Sequence, residues 1–189
     1  FGVVPDVITL AKALGNGIPI GAMIAKKAAA DLFTAGRHAS TFGGNFIATA
    51  AANAVIDTMV SGKMDRQACE KGEVLAAGLR VLKGKYAEFI SEVKGLGLMR
   101  GLQLTGKIDG SEFVLKARQK GLVIGTAGKN VLRFLPPLIV MAAEIKEALA
   151  ILDQVFYEYL VQDKPLFQNI RSPAMQPGKS GKRSKNRRK

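Results

Sequence analysis

Lys12 stands at a position in the sequence that favours covalent chemistry. It directly follows an apolar run at 7–11 (VITLA), which predicts a buried strand that ends beside the lysine. A glycine-rich segment follows at 15–21 (GNGIPIG), and its glycines allow a flat ligand to approach the backbone closely. A lysine that is shielded from water loses its charge more readily, and the neutral amine attacks carbonyl groups. The pattern predicts an amine nucleophile, and the alternative is a strand-end lysine whose side chain reaches solvent.

A second group of interest lies at 40–45 (STFGGN), directly before a segment with helical spacing. Hydroxyl groups and free backbone N–H groups at the N-terminus of a helix bind anions such as phosphate. Ser40 and Thr41 supply the hydroxyls. The alternative is an ordinary helix cap, formed by Asn45 or Thr41.

Arg133 lies in the middle of an apolar segment at 131–135 (VLRFL) that predicts a strand. Burying an arginine is costly unless it is paired, and its planar guanidinium suits a carboxylate. The partner is either a ligand or an internal acidic side chain. His38 and Cys69 are the only histidine and the only cysteine, so we expect no metal site within the chain, and we interpret His38 as an exposed or packing residue.

The elements that must position these residues alternate between helix and strand, which predicts an α/β fold. Cys69 is expected to fill the core from one helix face. The last helix places apolar residues at helical spacing from Ile145 to Leu160. The remaining predicted helices span 46–60, 65–83 and 110–120, and the remaining predicted strands span 98–104, 122–126 and 131–135.

Composition narrows the classes of protein further. The 189 residues are 48% hydrophobic and 23% charged, which is typical of a globular chain with one domain or one domain and a smaller unit. With one cysteine, the chain forms no internal disulfide, so the expected compartment is reducing, namely the cytoplasm. No apolar run reaches the roughly 18 residues that a membrane span requires, so no membrane partner is expected.

The positive charge is concentrated at one end of the chain. The net charge is +13, and residues 172–189 contribute seven lysines and arginines and no acidic residue. This segment is rich in Pro, Gly and Ser and has no apolar periodicity, which predicts a disordered basic tail. The tail is either a solvated terminus or a segment that binds nucleic acid.

Three motifs in order resemble the class-III aminotransferases, which use pyridoxal 5′-phosphate (PLP). They lie at 5–22, 40–45 and 131–138 (VLRFLPPL). The resemblance implies the fold type I of PLP-dependent transferases. It assigns residues 1–45 to the C-terminal part of the large PLP-binding domain, 46–62 to an interdomain helix, and 63–165 to a small C-terminal α/β domain. The segment 172–189 has no counterpart in the family.

The resemblance also implies a role for each candidate residue. Lys12 matches the lysine that binds PLP covalently and moves a proton between the substrate and the cofactor. Thr41 matches the threonine that binds the cofactor phosphate across a homodimer, so that the two active sites are shared. Ser40 lies beside that site and contacts substrate. Arg133 matches the arginine that binds a substrate carboxylate, that of glutamate or 2-oxoglutarate.

Finer features of the resemblance concern the reaction. Residues 95–101 (GLGLMRG) and 126–138 favour family members that transfer the amino group of N-acetylornithine to 2-oxoglutarate in arginine biosynthesis. The alternative donors are ornithine, succinylornithine and 4-aminobutyrate. The chain starts at Phe1, and the family's residues that contact the pyridine ring have no counterpart in it. We therefore expect the C-terminal half of such an enzyme, inactive by itself; the alternative of another class is a non-catalytic protein whose basic tail binds nucleic acid.

Overall fold

A computed structural model describes residues 2–128 and 130–163, which form two antiparallel sheets and several helices. The predicted basic tail at 172–189 lies outside the described residues. The strands are β1 (Val7–Leu10), β2 (Ala22–Ala25), β3 (Ile90–Leu96), β4 (Met99–Leu104), β5 (Gly125–Ala127) and β6 (Val131–Phe134). The α-helices are α1 (Lys27–Ala30), α2 (Phe46–Ser61), α3 (Met64–Lys85), α4 (Gly110–Gln119) and α5 (Ala142–Asp163).

Strands β1 and β2 form the smaller sheet. They pair antiparallel, from Val7 opposite Ala25 to Leu10 opposite Ala22. The strand predicted before Lys12 is present, but the prediction that it is buried is wrong for the described chain, because every β1 residue is exposed. A two-stranded sheet has too little surface to bury its own side chains, and β1 pairs with no strand other than β2 among the described residues.

Helix α2 begins where the sequence predicted it and extends one residue past the predicted end. Asn45 is its N-cap, in an extended conformation. Only the small residues Ala48 and Ala52 are buried along the helix, and the Phe46 side chain is 92% exposed. The described part of the chain therefore covers only one narrow face of α2.

The larger sheet has the strand order β3-β4-β6-β5, with every neighbouring pair antiparallel. Helices α3, α4 and α5 cover one of its faces and contribute to the main core. Leu102 of β4 and Leu132 of β6 point into that core, whereas Gly101 and Arg133 lie on the opposite face because side chains alternate along a strand. Arg133 is exposed on that face, and Gly101 is buried there. The core residues include Leu79, Tyr86, Phe89, Leu102, Phe113, Leu132, Phe134, Leu152 and Phe156.

The predicted strands at 98–104 and 131–135 each differ from the structure by one residue, and the third strand differs by more. The segment 122–126 was expected to be a strand, but the strand β5 comprises Gly125–Ala127. Its partner β6 ends at Phe134, and a longer ladder would place Pro136 opposite Leu122. Proline has no N–H group to donate, so the ladder stops where β6 runs into the prolines.

The expectation that Cys69 fills the core is wrong. The thiol-bearing residue is exposed, although it lies within helix α3 as predicted. Ala68 and Gly72 form the covered face of this part of α3, and Cys69 lies outside that face on the solvent side.

The helices carry no membrane-spanning signal. Among the residues that the structure describes, no helix combines the length and the apolar character needed to cross a lipid bilayer.

Candidate functional site

A cleft of about 480 Å³ joins the two loops that the sequence singled out. One wall is the end of the glycine-rich loop, residues 19–21. The other wall comes from the loop before α2 and includes Ser40, Gly43, Gly44 and Asn45. The structure therefore brings together segments that are separated by about twenty residues in the sequence.

Asn45 is the residue that caps α2, which leaves the neighbouring hydroxyl groups available. Its Oδ1 accepts a hydrogen bond from the Ala48 N–H at 2.9 Å, and its Nδ2 donates to the Phe42 carbonyl at 2.8 Å. The Ser40 and Thr41 hydroxyls make no hydrogen bond with any described residue, and both residues are exposed. Thr41 is therefore not the cap, and both hydroxyls are available to a ligand.

The first turn of α2 also offers free backbone donors. The Asn45 side chain and carbonyl accept hydrogen bonds from the N–H groups of residues 48 and 49. The N–H groups of Phe46 and Ile47 have no acceptor among the described residues. Gly44 adopts a left-handed φ of 69°, and a methyl group placed there would meet no atom within 4 Å. Free N–H groups, hydroxyls and open space beside a helix N-terminus fit a phosphate group such as that of PLP.

Lys12 lies at the opposite end of the glycine-rich loop and does not line the cleft. It opens a 3-10 helix, Lys12–Gly15, with a left-handed φ of 55° that non-glycine residues rarely adopt. Its side chain is exposed and forms no ion pair or hydrogen bond with the described residues. In the chain as described, the lysine reaches solvent, which is the alternative to a buried amine, and the described residues do not shield it from water.

Gly15 and Asn16 explain how the loop turns back after Lys12. Asn16 caps the 3-10 helix with a left-handed φ of 46°. Gly15 is buried, and a methyl group on it would lie 2.9 Å from Cγ2 of Ile20. This close approach brings the segment after Ile18 towards the cleft.

Arg133 lies on strand β6, on the open face of the four-stranded sheet. The side chain is exposed, so the expected cost of burial does not arise. The alternative of an internal ion pair is not observed, because no described acidic residue pairs with the Arg133 guanidinium. Arg133 does not line the cleft; it is a separate cationic site on the other sheet.

His38 is a cleft residue that the sequence interpretation had set aside. It lines the cleft beside Ser40, and its ring packs edge-on against Phe33 with centroids 6.2 Å apart. The expectation that His38 is an exposed or packing residue is confirmed, since it is exposed and its ring contacts Phe33. Its position two residues before Ser40 was the available signal that it also borders the cleft.

Comparison with known families and sequences gives a consistent result. Residues 1–156 match the model of the family described as aminotransferase class-III. The chain is 50% identical over 156 residues to the acetylornithine aminotransferase of Gloeobacter violaceus, a match that covers 82% of this chain and 38% of that protein. The chain thus spans less than half the length of the curated relatives it matches.

Solved structures agree with the sequence comparison. The fold resembles an acetylornithine aminotransferase from Elizabethkingia anophelis with a TM-score of 0.77 and 28% identity, covering 83% of this chain and 40% of that one. It also resembles an ornithine aminotransferase from Toxoplasma gondii, described with partial occupancy of PLP at its active site, with a TM-score of 0.79 and 28% identity, covering 85% of this chain and 39% of that one.

These matches identify the fold as that of the PLP-dependent transferases of fold type I, of which residues 1–156 represent one part. The predicted α/β class is confirmed, and PLP is the cofactor of the family. The match extends over more than four fifths of the chain and includes both the cleft and Arg133. The chain belongs to the class-III aminotransferases.

Proposed function

We propose that this chain is the part of a PLP-dependent aminotransferase that supplies the reactive lysine, part of the phosphate site and the substrate carboxylate site. The proposed reaction transfers the amino group of N-acetylornithine to 2-oxoglutarate, in arginine biosynthesis. The observation that carries the proposal is the cleft that joins residues 19–21 to the Ser40 loop beside free N–H groups of α2. The identity of 50% to an acetylornithine aminotransferase supports the choice of donor.

Lys12 is assigned the covalent and proton-transfer role. Its amine would hold the cofactor covalently, and the same amine would move a proton between the substrate α-carbon and the cofactor. When bound, PLP supplies the electron sink that makes this proton removable. The described residues leave the Lys12 side chain exposed and without an ion pair or a hydrogen bond, so in this proposal the rest of the enzyme supplies the shielding from water that a reactive amine needs.

Thr41 and Ser40 are assigned to phosphate and substrate binding. A hydroxyl group donates a hydrogen bond to a phosphate oxygen, and the N–H groups of Phe46 and Ile47 add two further donors at the positive end of α2. Thr41 does not line the cleft formed by its own chain, although Ser40 does. On the family resemblance, in which the matching threonine binds the phosphate across a homodimer, we assign Thr41 to the site of a second copy with shared active sites.

Arg133 is assigned to the carboxylate of glutamate or 2-oxoglutarate. A guanidinium pairs with a carboxylate through two parallel hydrogen bonds, which fixes orientation as well as affinity. Arg133 fits this role because it is exposed on an open sheet face and has no acidic partner among the described residues.

The division into domains follows from the same assignment. We propose that 1–45 belong to the large PLP-binding domain, that α2 connects the domains, and that the chain from residue 63 to about 165 forms the small domain. The four-stranded sheet with its own core of α3, α4 and α5 supports the last unit. The single cysteine is compatible with a cytoplasmic location.

The reaction is tested in a chimera, called the joined enzyme below. It consists of the N-terminal part of the Gloeobacter violaceus relative, up to its matched region, followed by this chain. With PLP and 2-oxoglutarate, we expect glutamate formation from N-acetylornithine at a higher kcat/KM than from ornithine, succinylornithine or 4-aminobutyrate. Preference for one of the other three donors contradicts the proposed substrate. Activity that survives Lys12→Ala contradicts the proposed mechanism.

A further inference from the structure

Gly125 lies within a strand, where a glycine lowers the stability of the fold. It is the first of only three residues in strand β5, and it pairs directly with Arg133 of β6. Glycine weakens a strand because it has no side chain to pack and loses more conformational freedom on folding. Its φ lies outside the left-handed range, so the backbone does not require glycine there. A glycine at such a position often marks a close approach by another group.

The group that approaches Gly125 is the guanidinium of Arg133. A methyl group placed on Gly125 would lie 3.4 Å from Nη2, 3.7 Å from Nε and 4.0 Å from Cζ of Arg133. Those three atoms are the nearest that the methyl group would meet. Because Cζ is farther away than both nitrogens, the Nε–Nη2 edge of the guanidinium is directed at Gly125. The arginine side chain therefore lies across β5, with its guanidinium next to the backbone of Gly125.

The glycine on the other side of Arg133 has a different environment. Gly101 of β4 also pairs with Arg133, but a methyl group there would meet Val131 at 3.0 Å and no atom of Arg133 within the three closest contacts. Gly101 is thus explained by packing against its neighbours. Of these two glycines, Gly125 is the one at which a side chain would contact the guanidinium of Arg133.

We propose that Gly125 is a positioning residue for the carboxylate site at Arg133, because the absence of a bulky side chain there lets the guanidinium lie across β5 in one orientation. A methyl group at 3.4 Å is an ordinary contact, which the guanidinium tolerates. The additional methyl groups of valine extend beyond that point and displace it. This inference rests on the proposed role of Arg133 and adds the residue that sets the geometry of that role.

The test uses the whole 189-residue chain and glutarate, a plain dicarboxylate. The Nε–H resonance of Arg133, assigned by its loss in Arg133→Lys, is followed by NMR during titration. We expect saturable binding in the wild-type chain and a dissociation constant within about twofold of it in Gly125→Ala, because the alanine methyl makes only an ordinary contact. For Gly125→Val we expect a dissociation constant raised about tenfold or more, as loss of a charge-assisted hydrogen bond would cause.

The controls separate positioning from a general effect on the sheet. Ala127→Val adds bulk to the same strand and the same face, opposite Val131, and should leave glutarate binding unchanged. Gly125→Thr is a second β-branched variant, compatible with a strand, and it should weaken binding if the valine variant does not fold. Gly125→Ala is the size control, because binding that survives alanine but not valine attributes the loss to bulk beyond the first methyl group.

The outcomes distinguish this inference from the proposed function. If glutarate leaves the Arg133 resonance of the wild-type chain unchanged, the carboxylate role of Arg133 is wrong and the inference falls with it. If the wild-type chain binds glutarate and Gly125→Val or Gly125→Thr binds equally well, only the role of Gly125 is overturned. If Gly125→Ala weakens glutarate binding as much as Gly125→Val does, the guanidinium does not lie across β5 as proposed.

Discussion

The Nη2 atom of Arg100 donates a hydrogen bond to Oε1 of Glu73 at 2.7 Å, which ties strand β4 to helix α3. The same guanidinium donates to the carbonyl oxygens of Gly97 and Gly95 at 2.8 and 2.7 Å, so it also closes the turn between β3 and β4. The arginine is only 6% exposed, whereas the glutamate side chain is 63% exposed. Gly72 of α3 allows the approach, because a side chain there would overlap the backbone of Gly97.

Arg100→Ala should destabilise the four-stranded sheet and its helices. The substitution leaves two turn carbonyls without their donors, and we expect the free energy of unfolding to fall by about 2–4 kcal/mol in urea unfolding followed by circular dichroism. Arg66→Ala is the matched control, since Arg66 pairs with Glu70 on the surface of α3 at 2.9 Å and should change stability little. An equal loss in both variants would show that burial of Arg100 is unimportant.

Asp153 should make stability depend on pH in the acid range. Its partial burial alone would raise the pKa of the carboxyl group, but hydrogen bonds from Lys85 and Tyr86 more than offset this, so the pKa lies below its ordinary value of 3.8. A lowered pKa means that the folded state favours the carboxylate. The resulting stabilisation is complete above the ordinary value and is lost as the pH falls through the lowered one.

Asp153→Asn should therefore flatten this part of the pH dependence. We expect the urea midpoint of the wild-type chain to fall more steeply between pH 5 and pH 2 than that of the variant. This interval contains the ordinary carboxyl pKa of 3.8, below which the stabilisation by Asp153 is lost. Asp57→Asn changes an exposed residue that has no ion pair among the described residues, and it should keep the wild-type slope. Parallel slopes for wild type and Asp153→Asn would refute the role of this cluster.

Thr41→Ala should weaken cofactor binding in the joined enzyme. Loss of a hydrogen bond to a charged phosphate should cost about 1.5–3 kcal/mol of PLP binding free energy, measured by absorbance titration. Thr49→Ala is the control, because the Thr49 hydroxyl already donates to the carbonyls of Asn45 and Phe46 at 3.0 and 3.2 Å. PLP affinity that Thr41→Ala does not change, or that both variants reduce equally, would exclude Thr41 from the phosphate site.

Arg133→Ala should impair use of the dicarboxylic substrate. Without the guanidinium, we expect kcat/KM of the joined enzyme for 2-oxoglutarate to fall about 10- to 100-fold, as loss of a charge-assisted hydrogen bond predicts. Arg118→Ala removes an exposed arginine from α4 and should leave this constant near the wild-type value. Unchanged kinetics for 2-oxoglutarate in Arg133→Ala would remove Arg133 from the substrate site.

The long helices were predictable from the sequence because their signals are local. Helix α5 carries apolar residues at helical spacing, and α2 follows a residue that caps helices well. Strand β3 was missed because a bulge between Ile90 and Glu92 interrupts the alternation by which strands are recognised. The exposure of β1 was not predictable, because an apolar run shows what a segment is able to bury and not whether a partner covers it.

The candidate site was predictable in its parts more than in its assembly. The residue types and order pointed to the two loops that the cleft joins. Strand pairing placed Gly125 beside Arg133, although eight positions separate them in the sequence. Gly125 lies outside the motif at 131–138 that contains Arg133. Cross-strand neighbours depend on strand register, so the sequence alone did not identify the contact between Gly125 and the guanidinium of Arg133.

Covalent labelling of Lys12 tests the central claim most directly. Borohydride reduction of the PLP-loaded joined enzyme, followed by peptide mass spectrometry, should place a pyridoxyl group on Lys12. Lys12→Arg should abolish the label, and Lys26→Arg, which changes another exposed lysine of this chain, should retain it. A pyridoxyl group on any other lysine, or full labelling of Lys12→Arg, would contradict the account.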